Sequence, residues 1–149
     1  MGTEAASLSI LHKKTLLNIL HTQAALAESF SEVLKHYGLS SEQFKVLTIL
    51  RDQKGKAASM SVIQEQMIAK TSNTTRLVDK LLLKGLVIRE TCPQNRRKIE
   101  VSLTAKGQKL LNNSNTAVSL HEEKFAYNLT PKEHESINFL LEKYRNKTV

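Results

Sequence analysis

At Gly85 the hydrophobic pattern of this chain changes period. Upstream, in TSNTTRLVDKLLLKG (71–85), Leu77, Val78, Leu81 and Leu82 recur at the i, i+1, i+4, i+5 spacing of a helix with one buried stripe. Downstream, LVIRET (86–91) reads as a strand and KIEVSLT (98–104) as a second, in which Ile99, Val101 and Leu103 alternate with Glu100 and Ser102. Between them CPQNRR (92–97) carries the turn residues Pro93 and Asn95. Gly85 supplies the left-handed residue that closes a helix. The segment is therefore a helix followed by a β-hairpin, with Arg96, Arg97 and Lys98 at or next to the hairpin tip.

The remainder reads as helix. From about Ser9 to Tyr37, Leu16, Gln23, Phe30 and Tyr37 recur at seven beside a row of Leu20, Ala27 and Leu34, and Gly38 ends the run. Ser40 and Gln43 have capping-box spacing, flanked by Leu39 and Phe44 as a hydrophobic staple, so a second helix starts near Ser41 and stops at Lys54-Gly55. A short third helix is expected after Ser61, with Gln64 as its box partner and Ile63 and Met67 turned inward. Thr104 caps a long helix to about Ala126, with Leu111, Val118 and Phe125 at intervals of seven. Thr130-Pro131-Lys132-Glu133 opens a last helix whose apolar face is Ile137, Leu140, Leu141 and Tyr144. The fold class is mainly α with a small β-hairpin, an α+β chain, and 149 residues suit one domain.

Charge narrows the function. The chain carries a formal +8, and residues 70–109 hold ten cations against three anions, so a window of +7 accounts for nearly all of it. A surplus concentrated in this way suits a polyanion, nucleic acid above all, although a solvated basic face would give the same count. On the helix before Gly85, the face opposite the apolar stripe carries Asn73, Arg76 and Lys80. The first turn, Thr71 to Thr75, sets short donors and acceptors at the positive end of the helix dipole, with Thr71 or Ser72 as the expected N-cap.

A helix, a reader helix and a basic hairpin in that order make a winged helix-turn-helix. With LSSEQFKVLTIL, TSNTTRLVDKLLLKGLVIRE and NRRKIEVSLTAKG, the chain resembles the MarR family of bacterial transcriptional regulators over nearly its whole length. The resemblance implies a winged helix-turn-helix lobe at about 40–104, with dimerisation helices at about 9–37 and 105–146. It implies a homodimer on a pseudo-palindromic double-stranded DNA operator, commonly released by a small molecule. The positions matching the family's DNA-contacting face are Ser72, Asn73, Thr74, Thr75, Arg76 and Lys80, and Arg96 and Arg97 match the wing arginines, with Lys98 beside them. Where the family usually has an Asp just before those arginines, this chain has Gln94 and Asn95, which leaves open which arginine is structural.

Other functions find less support. No nucleophile or acid–base constellation is visible, so an enzyme is not expected, nor a cofactor. His12, His21, His36, His121 and His134 have no i, i+3 or i, i+4 pairing, so a zinc site built by one helix is absent; a metal sensor assembled across helices is the alternative, and no metal site is expected. A lone Cys92 excludes an internal disulfide but keeps open a redox-responsive regulator or a disulfide between two copies, since Arg89, Arg96 and Arg97 stand near it in sequence. A protein-binding or RNA-binding winged helix is the other alternative. RNA readers display stacking aromatics, and none lies between Phe44 and Phe125. The N-terminus has no secretory signal pattern and no apolar run reaches the ~18 residues of a membrane span, so a soluble, cytoplasmic chain is expected.

Overall fold

The computed structural model describes residues 2–70 and 72–146. Its elements are α1 (Gly2–Lys35), α2 (Ser41–Asp52), β1 (Ala58–Ser59), α3 (Met60–Gln66), α4 (Thr74–Leu83), β2 (Val87–Cys92), β3 (Asn95–Leu103), α5 (Ala105–Ala126) and α6 (Pro131–Arg145). The expected mainly α architecture with a β-hairpin wing is what the chain adopts.

Two helix ends follow their glycines closely. At Gly38 (φ +66°), Leu39 N–H reaches Leu34 O and Gly38 N–H reaches Lys35 O; at Gly85 (φ +70°), Leu86 N–H reaches Leu81 O and Gly85 N–H reaches Leu82 O. Both are Schellman closures, which satisfy carbonyls that a helix end leaves without partners. The capping boxes at Ser40/Gln43 and Thr130/Glu133 form as read, and Thr104 caps α5 through Gly107 N–H. The chain turns away after α2 through Lys54 (φ +55°) and Gly55 (φ +82°).

Three boundaries differ from the sequence reading. Helix α1 starts at Gly2 rather than Ser9, because Glu4, Ala5 and Ala6 extend it without a breaker. Helix α3 is capped by Ser59, whose side chain accepts from Val62 N–H, so Ser61 lies inside the helix and Gln64 is not a box partner. The hairpin turn contracts to Pro93-Gln94, and Cys92 pairs with Asn95 as the last residue of β2.

The three strands form an antiparallel sheet in the order β1-β3-β2. The two-residue β1 pairs Ala58 with Val101 and Ser59 with Glu100. Across β2 and β3 the register runs regularly from Val87↔Leu103 to Thr91↔Ile99, then jumps to Cys92↔Asn95. The jump leaves Arg96, Arg97 and Lys98 as unpaired extra residues in β3, a bulge that carries three cations. Behind the sheet, one core joins Val46, Leu47, Ile49 and Leu50 of α2 to Ile63, Met67, Leu77, Val78, Leu81, Leu86, Val87 and Val101. Leu34 of α1 and Leu111 and Val118 of α5 close it from the other side.

Away from that core the long helices are wet. Leu8, Ile10, Leu11, Leu16, Leu17 and Leu20 on α1, and Ile137, Phe139, Leu140 and Tyr144 on α6, are all exposed, and α6 buries none of its described residues. The His12 and Tyr144 rings, 6.3 Å apart, connect the two. Deeper along α1, Ser29 shares a 2.5 Å hydrogen bond with His121 of α5, and Phe30 and Phe125 meet the same imidazole edge-on.

Candidate nucleic-acid interface

Helix α4 is amphipathic, and apart from Leu83 at its last position, 90% exposed, what it leaves outside is polar. Leu77, Val78 and Leu81 enter the core, whereas Thr75, Arg76, Asp79 and Lys80 remain exposed. The cap is Asn73, whose Oδ1 accepts from Arg76 N–H at 3.1 Å, rather than Ser72; Thr71 lies outside the described residues. This occupies one of the two polar atoms with which Asn73 could grip a base edge, leaving its amide N–H₂ as donor. Ser72 is half-buried, with its hydroxyl 3.4 Å from a Glu42 carboxylate oxygen.

Thr74 does not belong to the outer face. It is 5% exposed and donates its hydroxyl to Gln64 Oε1, while Gln64 Nε2 donates to Lys70 O at 2.9 Å. Gln64 thus clamps α3, the inter-helix turn and the first turn of α4 together. Thr74 is a fastening for the exposed face rather than part of it. An open pocket of about 370 Å³ between Met60, Ser61 and Gln64 of α3 and Ser72 to Thr75 lies along this junction.

The hairpin supplies the second basic element. Arg96, Arg97 and Lys98 are exposed in the bulge, and Asn95 Oδ1 accepts from Arg97 N–H at 3.1 Å. Asn95 therefore closes the tip by hydrogen bonding with no side-chain charge pair to either arginine. The hairpin is instead tied to α4 by an ion pair the sequence reading missed, Arg89 Nη1 to Asp79 Oδ1 at 2.9 Å. Among the described residues the other ion pair is Arg51–Asp52, so Arg76, Lys80, Arg96, Arg97 and Lys98 all lack a carboxylate partner. Five uncompensated cations on two neighbouring elements of one lobe form a positive surface suited to phosphate.

Cys92 is buried, 8% exposed, which withdraws its thiol from a partner at the surface. Among the described residues no group of three or more His, Cys, Asp or Glu could hold a metal ion, and no helix is long and apolar enough to cross a membrane.

This geometry has relatives. Residues 39–99, from the staple leucine through the wing, match the MarR family. That stretch is a MarR-family segment. It is 28% identical over 92 residues to the transcriptional repressor MprA of Escherichia coli, a match covering 62% of this chain and 52% of that protein. The chain thus spans about half the length of curated relatives it matches. A MarR-like transcription regulator from Bacillus cereus superposes with a TM-score of 0.80 at 25% identity, over 91% of this chain and 96% of the other. Bordetella bronchiseptica BpsR, in a structure concerned with regulation of its DNA binding by 6-hydroxynicotinic acid, superposes at 0.75 with 24% identity, over 91% and 94%.

Proposed function

We propose that two copies of this chain form a MarR-family transcriptional regulator that reads a pseudo-palindromic site in double-stranded DNA. The observation that carries the reading is the set of uncompensated cations, Arg76 and Lys80 on α4 and Arg96 to Lys98 in the hairpin bulge. In a winged helix-turn-helix these two elements enter a major groove and an adjacent minor groove. Thr75, Arg76 and Lys80 face bases and phosphates from α4, and Ser72 and the Asn73 amide approach phosphate at the positive end of the helix. Arg96, Arg97 and Lys98 reach the minor groove, and the work is done in the cytoplasm.

Residues 40–104 form the DNA-binding lobe, and the stretches 9–37 and 105–146 hold two copies together. The exposed leucines of α1 and the exposed Ile137, Phe139, Leu140 and Tyr144 of α6 support this. Such an apolar surface on two helices is costly in water and is removed when a second chain covers it. Repression, released by a small, partly apolar and anionic effector, is the regulatory mode proposed. A cleft of about 280 Å³ where the lobe meets α5 supports it, with Leu50 and Leu103 as apolar wall and Arg51 and Lys56 as cations. The regulated DNA binding of BpsR, a relative in fold, points the same way.

Fluorescence anisotropy with duplexes from the DNA upstream of the chain's own coding region, against random duplexes of equal length, tests the reading. Preferential binding of one upstream duplex is expected, and equal affinity for all of them refutes sequence reading.

A further inference from the structure

The last residue of the reader helix region to carry a cation is Lys84, at the C-cap of α4. It differs from Arg76 and Lys80 in where its ammonium goes. Lys84 Nζ donates to the carbonyl of Gly38, in the closure of α1, and to Oε1 of Gln43 at 3.1 Å, on α2. Gln43 is 7% exposed, and the same Oε1 accepts the capping-box N–H of Ser40 at 3.2 Å. From the opposite side, Lys106 Nζ of α5 donates to Lys84 O at 3.0 Å, and its Cδ lies 4.0 Å from where a Cβ on Gly85 would stand. Two lysines therefore fasten the C-terminal end of α4 to the end of α1, the start of α2 and the start of α5.

We infer that Lys84, seconded by Lys106, is a positioning residue that sets the angle of the reader helix relative to the long helices, rather than a phosphate contact. The inference rests on the DNA-reading function proposed above. Lever geometry gives the joint its importance. Helix α4 has 10 residues, so at ~1.5 Å per residue its reading end lies ~15 Å from Lys84. A tilt of ~5° at the joint displaces that end by over ~1 Å, more than the ~0.5 Å tolerance of a well-held recognition site. At the other end Thr74 and Gln64 fix α4 only to α3, within the same lobe. Lys84 reaches α1, and Lys106 reaches from α5 beside the Thr104 hydroxyl on Gly85 O, the two elements whose exposed or extended faces lead to the second copy. The two ammonium groups, though not the Lys106 backbone in the first turn of α5, lie where helix dipoles favour a cation, at the C-terminal ends of α1 and α4.

The test uses the full chain with Lys84→Met, which keeps the aliphatic stem and removes the ammonium. Operator affinity is expected to fall roughly fivefold, the scale of one ordinary hydrogen bond. Affinity for random duplex and the slope of log K against log salt should stay unchanged, because no phosphate contact is lost. Hydrogen exchange without DNA should speed up at the amides of Leu39 and Leu86, and Lys106→Met should give a smaller change in the same direction. Equal losses on operator and random DNA with a shallower salt slope would make Lys84 a phosphate contact and overturn the inference. So would unchanged amide exchange, whatever happens on DNA. If the wild-type chain prefers no duplex, the DNA-reading function fails, while the exchange comparison still decides whether the lysines hold the joint. Should Lys84→Met fold poorly, Lys106→Met carries the same three readouts.

Discussion

Gly107→Ala places a small, helix-favouring side chain where the fold has no space for it. Gly107 is the third residue of α5, and a Cβ there would stand 2.0 Å from Leu86 O and 2.9 Å from Leu86 C. A carbon and a carbonyl oxygen need ~3.2 Å, so α5 and the strand leaving Gly85 must separate by more than ~1 Å, and backbone rather than a flexible side chain must move. Leu86 O accepts from Thr104 N–H at 3.1 Å and Thr104 Oγ1 donates to Gly85 O at 2.7 Å, so the displacement strains both bonds. Overpacking costs ~1–3 kcal/mol and a weakened hydrogen bond ~1 kcal/mol, against a helix-propensity gain from Ala of at most ~1 kcal/mol. The net expectation is a loss of ~1–3 kcal/mol, or a Tm lower by ~3–10 °C in a chain of this size. Thermal unfolding followed by circular dichroism, at one fixed protein concentration because Tm depends on concentration wherever chains associate, measures it. Gly38→Ala is the comparison, since a Cβ there meets nothing within 4 Å and only the positive φ is strained. A Gly107→Ala chain as stable as the parent would show that the approach of α5 to Leu86 is looser than described and would refute the steric argument.

Three further outcomes are expected. Arg76→Ala should cost ~1–3 kcal/mol of discrimination between operator and random duplex in anisotropy titrations, and an equal loss on both would restrict Arg76 to phosphate. Replacing Arg96, Arg97 and Lys98 together by Ala should flatten the salt dependence of binding with little change in sequence preference, and an unaltered slope would keep the hairpin off DNA. Residues 40–104 alone should sediment as a monomer or fold poorly, because they lack α1 and α6 and lose Leu34, Leu111 and Val118 from the core; a stable dimer of that fragment would place the interface within the lobe.

What was legible in the sequence is local, and what was not is either degenerate or distant. Gly38, Gly85, Ser40/Gln43, Thr104 and Thr130/Glu133 announce helix ends because each satisfies terminal backbone groups within a few residues. The cap of α4 resisted the same reasoning because Thr71, Ser72 and Asn73 are comparable N-cap residues; the choice of Asn73 accompanies Thr74's bond to Gln64, 10 residues earlier. Burial of Thr74 followed the same blindness, since a threonine in a polar first turn looks solvent-facing until α3 is placed beside it. Strand β1 has two residues and hence no period to detect. The hairpin turn read as six residues because three surplus cations can extend a loop or form a bulge, and only the pairing of Cys92 with Asn95 decides.

The fastenings that orient the positive surface are the least visible of all. Asp79 meets Arg89 across 10 residues, Lys84 meets Gln43 across 41, and Ser29 meets His121 across 92, and no spacing rule connects such pairs. A count of charges finds the basic window but cannot sort its members. Once partners are assigned, Arg89 belongs to an ion pair and Lys70, Lys84 and Lys106 to backbone carbonyls. Of the six others in the window, Lys109 lies on α5, while Arg76, Lys80, Arg96, Arg97 and Lys98, without carboxylates among the described residues, occupy the two elements that a winged helix presents to DNA. On the proposed function the same basic stretch divides into cations that hold the reader in place and cations left for the polyanion, a division that makes salt dependence, rather than affinity alone, the measurement that separates them.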